Sequence, residues 1–236
     1  MPASRAGSLV SGPAHGPLPA LLLVMTAATG LVDAVSVLGL GRVFVANMTG
    51  NIIFLGFWFA PHTVIDMTAA LVALVSFVAG AVFGGRLARH LDDDVRRWLT
   101  VALGFEVVML LTLSILTGAG VIDYHDNTKL ILVAGLALTF GSQAAAARQF
   151  GIQELSTTVL TTTIVGIGSD SRLAGGTGRR ERLRFSVVLT MCAGALVGAT
   201  LTRWAVAPVI ALAAVVVAVS AAVFRFGPHR GEDPAG

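Results

Sequence analysis

Residues 30–51 read Gly30-Leu-Val-Asp33-Ala-Val-Ser36-Val-Leu-Gly39-Leu-Gly41-Arg42-Val-Phe-Val-Ala-Asn47-Met-Thr49-Gly50-Asn51. An apolar run that begins at Leu18 enters this stretch, carries a carboxylate at Asp33, and breaks at Gly39-Leu-Gly41-Arg42. A carboxylate well inside an apolar run costs a few kcal/mol on insertion scales, so it faces a cavity or a partner. The cluster Asn47 to Asn51 then supplies short polar side chains and a glycine, which is what an interrupted helix needs to satisfy freed backbone groups or to cap the next turn. One full membrane span followed by a short broken or re-entrant segment is the reading that fits.

The rest of the chain agrees. Of 236 residues, 55% are apolar or aromatic and only 12% charged, and the mean hydropathy is +0.83. Those values exclude an ordinary soluble domain. The 27 glycines follow no Gly-X-Y period and Cys192 has no partner within the chain, which removes collagen-like and disulfide-scaffold classes. Six to eight spans of about 20 residues fill the length. No soluble catalytic domain of usual size fits beside them, so an enzyme is not expected.

Six apolar segments are long enough to cross: Leu18 to Leu40, Val64 to Gly85, Trp98 to Gly118, Leu130 to Ala147, Phe185 to Thr202 and Ala205 to Phe224. Two shorter ones, Val43 to Ala60 and Ile152 to Gly168, are broken by Gly and rich in Asn or Thr. Charge orders them. Arg86, Arg89, Arg96 and Arg97 fall in one loop, and Arg172, Arg179, Arg180, Arg182 and Arg184 in another, while the loop with Asp123, His125, Asp126 and Lys129 is poor in positive charge. If both short segments crossed fully, the two arginine loops would lie on opposite sides. If both enter and return, the arginine loops share the cytoplasmic side, as the positive-inside rule prefers, and both termini are cytoplasmic. The expected fold is therefore all-α and polytopic, with six full spans and two interrupted or re-entrant segments. Its single transmembrane domain covers 18–226, between flexible tails at 1–17 and 227–236.

An internal repeat runs through it. Ser76 to Arg89 aligns without gaps on Thr190 to Arg203, with Ala79/Ala193, Gly80/Gly194, Ala81/Ala195, Gly84/Gly198, Leu87/Leu201 and Arg89/Arg203 identical, and Met48 to Gly56 lies on Leu160 to Gly168 at nearly the same offset. Repeat one spans about 18–118 and repeat two about 130–226. Three full crossings per unit make the second copy inverted relative to the first, an arrangement that builds midplane binding sites in many secondary transporters.

The candidate residues follow from that frame. Asn47, Thr49 and Asn51 in the first short segment, Thr161 and Thr163 in the second, and Gln143 beside them are candidates to hold a small polar solute, with Gln143 opposite Asp33. Free amides at a helix start favour an anion. Asp33 and Glu106 are candidates to bind a coupling proton, and the alternative for each is a hydrogen bond that only joins helices. Arg148 and Glu154 are placed to pair with each other. Gly80-x-x-x-Gly84 and Gly194-x-x-x-Gly198 are helix-contact signals. No metal site is expected, because His15, His62, His90, His125 and His229 fall in loops or tails without a second ligand at metal spacing. No cofactor is expected either: Gly39-x-Gly41 lacks the third glycine of a dinucleotide fingerprint, and Gly175-Gly-Thr-Gly178 lacks the Lys-Ser/Thr of a phosphate loop. The net charge of +3 marks topology and not a nucleic-acid partner, since the basic residues are not gathered on a soluble module. The expected partners are the lipid bilayer and a small-molecule substrate. A scaffold whose polar motifs only hold helices together is the opposing class.

The runs Gly30-Leu-Val-Asp33-Ala and Val43-Phe-Val-Ala-Asn47-Met-Thr49-Gly50-Asn51 resemble the signature of the bacterial YoaK family of multi-pass membrane proteins, and the likeness extends from about Leu18 to Phe224, through Gly141-Ser-Gln143 and Thr158 to Thr163. Where that family shows an Asn after the Gln, this chain has Ala144. The resemblance implies an integral protein of the bacterial cell membrane and brings no activity with it.

Overall fold

The computed structural model describes residues 18–60, 64–91, 95–149, 160–177 and 181–226. The expected tails, and the polar residues Gln153 to Val159 with Glu154 among them, lie outside the described residues. Eight α-helices follow in order: α1 (Leu18–Gly39), α2 (Met48–Gly56), α3 (Met67–His90), α4 (Val95–Gly118), α5 (Lys129–Gln149), α6 (Leu160–Ser169), α7 (Glu181–Thr202) and α8 (Val206–Phe226). No strand occurs among the described residues. The six long helices match the six long apolar segments, and α2 and α6 fall in the two short ones. Five of the long helices hold spans of 18 residues or more that are apolar enough to cross a membrane, and α1 is 22 residues long.

Helix α3 continues to His90, one turn past the expected Gly85, because nothing in Arg86-Leu-Ala-Arg-His90 stops a helix and the basic pair suits its negative C-terminal end. The opposite end is fixed by Asp66, whose carboxylate accepts from Ala69 N at 3.0 Å as an N-cap. Outward-facing side chains include many large apolar ones, among them Val75, Val78, Val108, Ile115, Leu189, Leu196 and Val219, and exposed Thr112 and Thr200 turn their hydroxyls back to carbonyls of their own helices. An apolar coat over helices of spanning length is the surface a lipid environment requires.

Glycine sets the helix pairing. A Cβ on Gly80 would sit 2.0 Å from Leu138 O, one on Gly84 2.7 Å from Ser142 O, and one on Gly141 2.1 Å from Phe77 O. Helices α3 and α5 are thus in backbone contact, running parallel. Likewise a Cβ on Gly194 would sit 2.3 Å from Ala27 O, one on Gly198 2.5 Å from Leu31 O, and one on Gly30 2.4 Å from Met191 O. Helices α1 and α7 are therefore joined in the same way and also run parallel. Small residues allow this approach, and dispersion then acts over whole helix faces. Helix α8 lies along α4 and α1, α4 also lies on α5, α2 packs on α3, and α6 on α7, whereas α1 and α5 scarcely touch.

The ends of the helices define two faces. Asp66 N donates to Gly41 O at 2.9 Å, so the end of α1 and the start of α3 meet. Lys129 Nζ lies 2.8 Å from Asp66 Oδ2, which adds the start of α5 to the same face. The chain that leaves α1 at Gly41 and the chain that enters α3 at Asp66 are therefore on one face, with α2 packed on α3. On the opposite face Arg184, from the first turn of α7, donates to Gly166 O at 2.6 Å and pairs with Asp170 at 2.6 Å, closing the end of α6. That hydrogen-bonded ion pair holds the Asp170 carboxyl below the usual carboxylate range.

Candidate functional site

The long polar stripe of the interior is on α1. Thr26, Thr29, Asp33 and Ser36 are all buried, and their spacing of three, four and three residues places them on one helix face. Gln143 of α5 reaches Thr29 of this stripe and joins it to Glu106 of α4, both buried, while Thr139 and Ser142 of α5 are buried too, with Ser142 against Gly84 of α3. Two clusters form here, about one helical turn apart along α1.

The first is centred on Asp33. Its Oδ1 accepts from Val45 N and Ala46 N, each at 3.0 Å, and its Oδ2 accepts from the Asn47 amide. For these bonds to form, the chain must double back beside α1. It does so at Gly41 and Arg42, with φ of 102° and 63°. Gly41 is at home there, while the non-glycine Arg42 carries strain in the same turn. A side chain at Gly41 would also meet Asp66 Cβ at 2.7 Å. Asn47 is the N-cap residue of α2 but makes no capping bond, since its amide is turned to Asp33. Asn51 completes the loop: its Oδ1 accepts from Phe44 N at 2.9 Å and its Nδ2 donates to Phe44 O at 2.6 Å. Gly50 gives room for the Phe44 ring, which a Cβ would meet at 2.6 Å. Residues 44–46 are therefore held by two side chains, Asp33 and Asn51, with Asn47 bracing Asp33, in a buried stretch where unmet backbone groups would cost several kcal/mol.

The second cluster is centred on Glu106, which is 2% exposed. Gln143 Nε2 donates to Glu106 Oε1 at 2.8 Å. Thr29 Oγ1 donates to Met25 O at 3.1 Å and lies 3.5 Å from Gln143 Oε1, a long contact that joins α1 to α5 and α4. Among the described residues Glu106 forms no ion pair. Gln143 thus stands against Glu106 and not opposite Asp33, because it points toward α4 while Asp33 is turned to the returning loop.

The remaining candidates separate by helix geometry. Asn51 and Thr163 are buried, at 0% and 1% exposed, whereas Thr49 and Thr161 are exposed. On α2 and α6 the inner position is thus the one two residues after the exposed threonine. Arg148 is exposed at the end of α5, and its expected partner Glu154 lies outside the described residues. No group of three or more metal-ligating side chains gathers among the described residues. The reading of sequence passed over Thr26, Thr29 and Ser36, whose signal was their helical spacing from Asp33.

Comparison with known proteins places this arrangement. A family model described as "Protein of unknown function (DUF1275)" matches residues 21–223. The chain is 30% identical over 188 residues to the UPF0700 transmembrane protein YoaK of Bacillus subtilis (strain 168), an alignment covering 75% of this chain and 80% of that protein. No solved structure matches. The family model takes in every residue of both polar clusters and all of the glycine contacts, and on that extent of match the chain is a multi-pass membrane protein that belongs to the DUF1275 family.

Proposed function

We propose that this protein is a small secondary transporter that moves a polar metabolite across the bacterial cell membrane in exchange for, or together with, a proton bound at Glu106. The observation that carries the reading is the pairing of Glu106 with a single amide, Gln143, inside the bundle, where an ionisable side chain marks a proton or substrate path by default. Thr29 and the Gln143 side chain supply the neutral hydrogen-bonding groups that a polar solute needs.

The architecture supports the same reading. A count of six crossings is supported by the meeting of Gly41 with Asp66 on one face and of Gly166 with Arg184 on the other. The use of equivalent glycines by the pairs α1/α7 and α5/α3 supports reading the two halves as inverted repeats that swap partners, the arrangement that suits alternating access. Both arginine-rich ends then lie on the cytoplasmic face with the termini, and the Lys129 loop outside. An anion has less support than a neutral polar solute: the amides of Val45 and Ala46 already face Asp33. The bilayer is the only partner this mechanism needs, and no enzymatic step is part of it.

The test uses the purified protein in proteoliposomes with a lumenal pH dye, challenged with amino acids, nucleobases, sugars and organic acids in turn. One class should move protons, and Glu106→Gln should abolish that movement while the protein remains folded. If no class moves protons and Glu106→Gln leaves only a changed melting temperature, the scaffold reading takes its place. That second reading draws on the Asp33 cluster, whose carboxylate is bonded by Val45, Ala46 and Asn47 of the protein itself.

A further inference from the structure

We propose that the extended segment 43–47 is a gate over the Glu106 cluster and that Asp33 is the latch that holds it shut. Four observations converge. Val43, Val45 and Ala46 are buried in the core although their backbone is in neither helix nor sheet. The N–H groups of Val45 and Ala46 are met by Asp33, and the N–H and C=O of Phe44 between Val43 and Val45 are met by Asn51, so these bonds can be released without unwinding a helix. It lies where α1, α3 and α5 come together, since Gly41 touches Asp66 and Ala69 of the α3 start, and Lys129 of α5 is bonded to Asp66. It also lies one turn outward of Thr29, which touches Gln143, and so stands between the Glu106 cluster and the Lys129 face. The bodies it bridges, α1/α7 and α3/α5, are each fixed by backbone contact and scarcely touch one another through α1 and α5. The Asp33 bonds tie α1 to the segment that enters α2, and α2 packs on α3, so a shift of α2 with the α3/α5 body away from α1 breaks them.

Asp33 is in this account a positioning residue. Three donors converge on its carboxylate, two of them backbone; an asparagine in its place keeps one oxygen for the backbone N–H groups, obliges the Asn47 amide to turn over and removes the charge that strengthens all three bonds. Exchanging the two residues returns a carboxylate to the pair.

The gate rests on the transport reading for what it controls, but its movement is read without any solute. In a Cys192→Ala background, Val45→Cys is labelled with a maleimide too polar to cross the membrane, applied to each side in turn, and Val133→Cys on α5 serves as a buried control. Labelling at position 45 should be slow in the parent and reach it from the Lys129 face alone. Asp33→Asn should speed it about tenfold or more, the factor that goes with losing one hydrogen bond to a charged group. Asp33→Asn with Asn47→Asp should slow it again, and position 133 should stay protected in every variant. Glu106→Gln should leave the rate at 45 unaltered, so a failure of proton coupling and a failure of the gate give different results. Unchanged labelling in Asp33→Asn overturns the proposal, as does a swap that labels as fast as the single variant. A parallel rise at position 133 also overturns it, since the whole bundle would then be loosening.

Discussion

The α1/α7 and α3/α5 contacts are built from the same parts and fitted differently. Each has one glycine, Gly30 of α1 or Gly141 of α5, against a carbonyl of the partner helix, and two glycines on that partner, α7 or α3, against carbonyls of the helix with the one. Three residues beyond that first glycine, α1 has Asp33 and α5 has Ala144. One contact therefore organises a returning loop through a carboxylate, while its counterpart presents Gln143 to Glu106. The difference teaches that backbone contact is the shared skeleton of the two halves, and that their polar fittings have been assigned to separate tasks.

The largest effect tests the skeleton. Gly80→Leu and Gly194→Leu each drive a side chain into a carbonyl, and each should cost roughly 4 kcal/mol or more, above the usual range for overpacking because backbone has to move. Thermal unfolding in detergent, followed by loss of the monodisperse peak, checks this; costs differing by several kcal/mol would break the equivalence of the two contacts.

Next come the fittings. Asp33→Ala strands two buried backbone N–H groups and the Asn47 amide, and should destabilise by about 3 kcal/mol at the usual cost of unsatisfied buried donors. Glu106→Gln should change stability by less than about 1 kcal/mol, since the new side chain keeps an oxygen for Gln143 Nε2. A reversed order in the same unfolding assay would mean that Glu106, and not Asp33, is the structural carboxylate.

The smallest effect concerns the link between the segment and α5. Partial burial pushes the Asp66 carboxyl up, but the Lys129 ammonium and Ala69 N–H outweigh it and hold its pKa below the ordinary 3.8. A carboxylate with a depressed folded pKa adds stability above its ordinary pKa and loses it as pH falls through the depressed value. Lys129→Met should thus lower stability slightly at neutral pH, by at most about 1 kcal/mol for a pair at the protein surface that is only partly buried. Below the depressed folded pKa of Asp66 the parent and the variant should converge. A difference that persists in acid would show that Lys129 acts by packing.

Much of the fold was legible. The long helices and the short α2 and α6 announced themselves by apolar length and by glycine with Asn or Thr, and the Gly-x-x-x-Gly runs marked the contact faces. Their partners were not legible, because small-residue faces match one another equally well and the choice of α7 over a neighbour in sequence is made by the whole bundle. Asp33 was visible as a buried carboxylate. Its bonds to Val45 and Ala46 were not, since backbone donors carry no sequence signal and only Gly41-Arg42 hinted at a reversal. Thr49 and Asn51 were grouped by nearness in sequence, although residues two apart on a helix point about 200° from each other; helical phase alone would have separated them, and Thr161 from Thr163. The pairing of Glu106 with Gln143 depends on the register of α4 against α5, which no local pattern states.

Interlaced pairing also constrains how the chain is made. The glycine face of α1 meets its partner only at Gly194, 164 residues later in the sequence. At roughly 5–20 residues per second, synthesis takes on the order of ten seconds or more to reach that point. During that interval the first helix stands in the nascent protein with its contact face unmatched. Neither half can complete its own backbone contacts: α3 can close on α5 as soon as α5 is made, whereas α1 must wait for α7, so the two pairs form in that order and the first helix is the last to be matched.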